Sequence, residues 1–157
     1  MKTNFGHTIG MLTICDDLPD ERNQVALDPE LTDNSGIPAP KVKYKVSQNS
    51  YRMLDHGIAK SKEVLSAAGA KGFVIEPQVR TGGWHLLGTA RMGNDPRTSV
   101  VNRWGAAHDV ANLFIVDGSV FVTSGAVNPT PTIQALALRT ADHLKGEGRY
   151  LATGSRG

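Results

Sequence analysis

The chain has 157 residues, 39% of them hydrophobic and 20% charged, with 17 glycines and 8 prolines. That length suits one ordinary domain, and the composition excludes a coiled coil and a disordered segment. A formal net charge of +2, with acids and bases mixed along the chain, offers nucleic acid no basic face.

One cysteine, Cys15, excludes an intrachain disulfide and a cysteine-rich zinc site; a buried small hydrophobe is its expected role. The five histidines, at 7, 56, 85, 108 and 143, lack ligand-like spacing, so no metal site is expected. No apolar run approaches the ~20 residues of a membrane span. The N-terminal stretch is interrupted by glycine and polar residues and followed by Asp16-Asp17, a poor signal peptide. The cytoplasm is the default expectation for location.

Met11 to Leu27 reads as two short strands around the turn-rich connector Asp17-Leu-Pro-Asp-Glu-Arg22. Asp28 to Pro40, with three prolines, a glycine and Asp33-Asn34-Ser35, reads as a loop. Val42, Tyr44 and Val46 alternate with Lys41, Lys43 and Lys45, which predicts a half-buried strand with a solvated lysine face. Ser47 to Ala68 predicts a helix: Leu54, Ile58, Leu65 and Ala68 recur on one face, with Ser50 as cap and Gly69 as stop.

Gly72 to Val79 reads as a strand. A turn is expected at Asn94-Asp95-Pro96, then paired strands Ser99–Trp104 and Val110–Asp117 joined through Gly105. The last element is a helix from Pro131 to about Leu144, N-capped by Thr130, burying Ile133, Leu136, Ala137, Ala141 and Leu144. Gly146 and Gly148 are expected to end it, and the tail 146–157 to fray. This order predicts an α+β fold with an antiparallel sheet in the N-terminal half. The C-terminal strand–helix segment looks like a piece completing a further α/β domain.

Three segments carry the chemistry. Leu113-Phe-Ile-Val-Asp117 followed by Gly118-Ser119 is an apolar run ending in an acid and a glycine. Asn128-Pro129-Thr130-Pro131-Thr132 opens a helix. Together they suit an anionic, polyhydroxylated cofactor, although Asp117-Gly118 alone could equally be a turn and Asn128 an ordinary loop residue. Upstream, Trp84-His85-Leu86-Leu87-Gly88 sets a histidine among apolar neighbours, the setting of a core histidine or of a base. Ser119 is not in a nucleophile elbow.

The order His85-x-x-Gly-Thr-x-Arg-Met-Gly93, Ser99-Val-Val-Asn102, Asn112-Leu-Phe-Ile-Val-Asp-Gly-Ser119 and Asn128-Pro-Thr-x-Thr-Ile-x-Ala-Leu-Ala137 resembles the C-terminal part of the glucose-methanol-choline oxidoreductases. The likeness is close from about Trp84 to Leu144. It is looser from Leu18 to Ala68, through Leu18-Pro-Asp-x-x-Asn-x-Val-x-Leu27 and Gly36-x-Pro38. The resemblance implies FAD as cofactor and a small alcohol or sugar as substrate, oxidised at a CH–OH group.

It also implies roles for single residues. His85 would be the general base, since an imidazole accepts a proton near neutrality. Asn128 would donate its amide to the substrate oxygen. Asp117 and Gly118 would lie along the ribityl and pyrophosphate region of FAD, with Asn128, Pro129 and Thr130 near the flavin ring. Arg91 would counter a phosphate or brace its loop. The family's Gly-x-Gly-x-x-Gly motif does not occur in these residues. The chain is therefore expected to be the C-terminal piece of a larger enzyme, or a truncated product, with Met1 an internal methionine. Its expected partner is the N-terminal FAD-binding half. Residues 1–83 would belong to the substrate-binding domain and 84–145 to the catalytic, flavin-contacting segment. The alternative is a non-catalytic fragment or interaction module that cannot bind FAD alone.

Overall fold

A computed structural model describes residues 5–77, 83–125 and 127–147. Its elements are strands β1 (Gln24–Thr32) and β2 (Pro38–Lys43), helix α1 (Gln48–Ala67), a short 3₁₀ turn (Gly118–Val120) and helix α2 (Thr130–Glu147). The described residues fall into two compact units. One draws on residues 5–17 and 46–77, the other on 18–45 and the described residues from 83 to 147. A two-stranded antiparallel sheet with two helices is a partial α+β fold.

The first unit is built on α1. Its cap is Ser47 rather than the predicted Ser50: the Ser47 hydroxyl accepts the Ser50 N–H at 3.1 Å. Ser50 is instead buried at the first turn, its hydroxyl donating to Asp17 Oδ1 at 2.5 Å. Half-buried Met53, Leu54, Gly57, Ile58, Ser61 and Leu65 follow at helical spacing, whereas Ala68 is exposed. Gly57 faces the extended segment before Asp17, where a β-carbon would collide with the Thr13 methyl. Thr13 Oγ1 and Ser61 Oγ are hydrogen-bonded at 3.0 Å. Gly69 stops the helix as predicted. At φ 93 it donates to Ser66 O at 2.9 Å while Ala70 donates to Leu65 O at 3.0 Å, so the last carbonyls are satisfied.

Of the two strands expected within Met11–Leu27, the second is found in β1 and the first does not form, nor does the described part of the expected Gly72–Val79 strand. Residues 11–20 and 71–77 have no ladder, and Val74 is fully exposed. A strand exists only where a neighbour takes its backbone N–H and C=O groups. Residues 78 and 79 of the expected Gly72–Val79 strand lie outside the described residues.

In the second unit, most of the segment expected as a loop is a hairpin. β1 pairs with β2 antiparallel through Gln24↔Lys43, Val25↔Val42, Ala26↔Lys41 and Leu27↔Pro40, resuming at Thr32↔Pro38 after a bulge. Prolines are tolerated because both strands are edges. Asp28 occupies the bulge. Its Oδ1 accepts Glu30 N–H at 2.9 Å and Leu31 N–H at 3.0 Å, and its Oδ2 pairs with Lys41 at 3.0 Å. Asp33 Oδ1 accepts from Ser35 and Ile37, and Gly36 turns at φ 79 to close the hairpin. The apolar face of the ribbon is exposed rather than half-buried: Leu27 is 70% and Val42 71% accessible.

The expected strands Ser99–Trp104 and Val110–Asp117 are absent as ladders. Single bridges join Val101 to Ala107 and Ala106 to Phe114. The turn between them is held by Asn102, whose Oδ1 accepts Trp104 N–H at 2.8 Å and Ala106 N–H at 3.2 Å. Gly105 stands at φ 75 against the Ile115 carbonyl, as the predicted joint requires. The C-terminal segment is thus a set of bridged turns followed by a helix, not a strand followed by a helix. Val101, Val120 and Pro129 are the buried apolar side chains among the described residues.

α2 begins one residue earlier than expected. Ile133 N–H donates to Pro129 O at 2.9 Å, which makes Pro129 the capping position and Thr130 the first helical residue. Pro131 costs no hydrogen bond in this first turn. The helix runs past Leu144 through Gly146 to Glu147. Ile133, Leu136, Ala137 and Leu144 are half-buried as predicted, but Thr140 is buried in place of Ala141.

Candidate active site

The segment that follows His85 lies against the Asp117–Val120 turn. Ala90 N–H donates to Ser119 O and Met92 N–H to Val120 O, both at 2.9 Å. Closer to His85, Leu86 and Leu87 approach Gly118. A β-carbon on Gly118 would lie 2.8 Å from Leu87 Cδ2, 3.2 Å from Ile133 Cδ1 and 3.4 Å from Leu86 O. The His85 segment, the Asp117–Gly118 corner and the first turns of α2 are therefore brought to one place.

His85 has φ 61, the left-handed region that few side chains enter at low cost. Histidine is among those few, and such backbone strain is concentrated at functional sites. The His85 side chain is exposed and bonds to no described residue. Asn128 is likewise exposed, and no hydrogen bond joins it to His85 among the described residues. Pro129 next to it is buried, which fixes the entry to α2; Thr130 is exposed.

Asp117 caps the 3₁₀ turn. Its Oδ1 accepts the Ser119 hydroxyl at 2.5 Å and the Ser119 N–H at 2.8 Å. The hydroxyl first, then the backbone N–H, hold this carboxyl below the usual carboxylate range. Asp117 Oδ2, Gly118 N–H and the N–H groups of Thr130 and Thr132 are not paired with any described residue. They are acceptor and donors of the kind that a sugar-like, phosphate-bearing cofactor requires. Arg91 is exposed and its carbonyl accepts Val100 N–H at 3.0 Å.

Sequence reasoning missed Leu87, Ile133 and Ser119 as parts of this corner. Ser119 was discoverable: an acid followed two residues later by serine is the spacing of a side-chain-capped turn. Leu87 carries no such signal, because its role depends on what Gly118 leaves empty. Among the described residues no group of three or more potential metal ligands occurs.

The sequence profile of GMC oxidoreductase matches residues 19–137, most of the chain. This chain belongs to the GMC oxidoreductase family. It is 44% identical over 146 residues to 2-methyl-1,2-propanediol dehydrogenase of Mycolicibacterium austroafricanum, covering 90% of this chain and 26% of that protein. It is 39% identical over 136 residues to paromamine 6'-oxidase of Streptomyces fradiae, covering 86% and 25%. It is 37% identical over 125 residues to the fructose dehydrogenase large subunit of Gluconobacter japonicus, covering 80% and 23%. The chain thus spans about a quarter of the length of these curated relatives. What it matches is the C-terminal domain of the GMC oxidoreductases, a family of oxidases and dehydrogenases that generally depends on FAD. Within its described residues no helix is long and apolar enough to cross a membrane.

Proposed function

We propose that this GMC chain is the catalytic C-terminal segment of an FAD-dependent enzyme that oxidises a small alcohol or sugar to a carbonyl compound. The observation that carries the reading is the left-handed His85 beside the Asp117–Gly118 corner and the opening of α2. When bound, FAD supplies the hydride acceptor. His85 takes the hydroxyl proton of the substrate. The Asn128 amide donates to the same oxygen as its charge grows, an interaction stronger in the transition state than in the ground state. Asp117 Oδ2 would accept hydrogen bonds from hydroxyls of the cofactor's sugar-like chain. Gly118 N–H and the N–H groups that open α2 at Thr130, beside the buried Pro129, would offer donors to its negative charge. Residues 84–145 do this work, and residues 1–83 contribute to the substrate-binding domain. An N-terminal half, supplied by a longer reading frame, holds the ADP part.

A test is the longer reading frame that carries these residues, assayed for alcohol-dependent reduction of a dye acceptor. His85→Ala should lower turnover by ~10²–10⁴ while flavin absorbance is retained. Near-normal turnover would remove His85 from the base role. A second reading concerns the chain alone. With Leu27, Val42 and Leu86 at least 70% exposed, the chain alone is read as a fragment that would bind FAD only together with an N-terminal FAD-binding part. Near-stoichiometric yellow flavin absorbance in the purified 157-residue chain would overturn that reading.

A further inference from the structure

We propose that Gly118 and Leu87 form a positioning latch for His85, an inference that rests on reading His85 as the base. The fixed side is the turn capped by Asp117, with Ser119 bound through both its hydroxyl and its N–H. On the other side is the chain that directly follows His85. A β-carbon at Gly118 would sit 2.8 Å from Leu87 Cδ2, closer than such atoms approach, with Ile133 Cδ1 at 3.2 Å and Leu86 O at 3.4 Å. Three neighbours converge on that one point from two elements. A bare Cα lets the Leu87 and Ile133 side-chain ends rest against the turn, and a methyl at Gly118 would push Leu87 Cδ2 off that seat.

The latch is continued by a short ladder. Gly88, at φ 88, turns the chain, and Ala90 and Met92 then donate to Ser119 O and Val120 O at 2.9 Å each. His85 stands two residues before Leu87, and its backbone at φ 61 sets the direction in which the imidazole leaves the chain. Neither Leu87 nor Gly118 touches reacting atoms. Their contribution is alignment, to which a base is sensitive: a displacement of about 1 Å costs on the order of 10² in rate. The demand for a bare Cα is separate from the use of the Gly118 N–H by a cofactor.

The test begins with amide hydrogen exchange on the 157-residue chain without cofactor. Gly118→Ala and Leu87→Ala should each lower protection at Ala90 and Met92 at least about tenfold, with Ile115, bonded to Gly105 O, unchanged. In the full-length enzyme the same variants should lower kcat about 10- to 100-fold with KM within about twofold, and Leu87→Met should restore kcat. Unchanged exchange at Ala90 and Met92 overturns the latch, whatever the enzyme oxidises. Increased exchange with unchanged kcat overturns its link to His85. If Gly118→Ala unfolds the chain, seen as lost protection at Ile115, the comparison of Leu87→Ala with Leu87→Met decides by the same criteria. Failure of the base assignment appears separately, as near-normal turnover of His85→Ala.

Discussion

The rings of Trp104 and His143 stack with centroids 4.1 Å apart and 12° between their planes. The Arg139 guanidinium lies 4.0 Å from the Trp104 ring centroid, and Arg139 also donates to Arg103 O at 2.5 Å. One turn of α2 thereby clamps the indole, while the buried Thr140 hydroxyl donates to Trp104 O at 3.0 Å. This clamp, more than apolar burial, fixes α2 on the 102–106 turn. Trp104→Ala should cost about 2–3 kcal/mol and His143→Ala about 1 kcal/mol. Urea unfolding followed by far-ultraviolet circular dichroism measures both, and a Trp104→Ala loss below about 0.5 kcal/mol would refute the clamp.

Acid should release the Asp117 cap. Its pKa is lowered in the folded chain, chiefly by the Ser119 hydroxyl. The contribution to stability is therefore fully present above the ordinary carboxylate pKa of about 3.9 and is lost as pH falls through the lower folded value. The Ser119 amide should report this as a nuclear magnetic resonance shift titrating below the ordinary range. Asp117→Asn should abolish the titration; its survival would assign the shift to another group.

Gly105 is buried, stands at φ 75, and a β-carbon there would lie 2.7 Å from the Ile115 carbonyl oxygen. Backbone cannot yield as a side-chain end can. Gly105→Ala should destabilise by at least about 2 kcal/mol, combining the left-handed penalty with the clash. Gly105→Asn tolerates the dihedral but keeps the clash, so it should recover only part of the loss. Full recovery in a denaturation midpoint would mean that the dihedral alone matters.

The α1 cap gives a prediction independent of the site. Ser47→Ala removes the acceptor of Ser50 N–H and should cost about 1 kcal/mol. Ser50→Ala should also destabilise, through its lost bond to Asp17 rather than through capping. A double-mutant cycle between Ser50 and Asp17 measures that share, and additivity within about 0.3 kcal/mol would dismiss it.

Helices were legible almost to the residue and strands only in part, the lysine-alternating run at Val42 being found in β2, for a physical reason. α1 and α2 satisfy their own backbone, so spacing at Leu54, Ile58 and Leu65 and the stop at Gly69 suffice to place α1 within one or two residues. A strand is completed by a neighbour that no local pattern names. Leu113–Asp117 looks like a buried strand, yet it finds a single bridge at Phe114, made by Ile115 N–H to Gly105 O and Ala107 N–H to Leu113 O. Pro38 and Pro40 look like loop residues, yet they pair in a ribbon whose outer edges need no donors. His85, Asp117 and Asn128 of the proposed site were chosen from their motifs alone. The Leu87 seat on Gly118 could not be, since it is made by atoms that are missing.

The left-handed backbone at His85 also changes what a substitution survey at that position would measure. Each replacement alters the functional group and, unless it is glycine or asparagine, raises the conformational energy of the peptide itself. Valine or isoleucine there would look catastrophic for reasons unrelated to proton transfer. Asparagine and glycine are the replacements from which a chemical loss can be read cleanly, and glycine with added imidazole separates geometry from chemistry in a single titration.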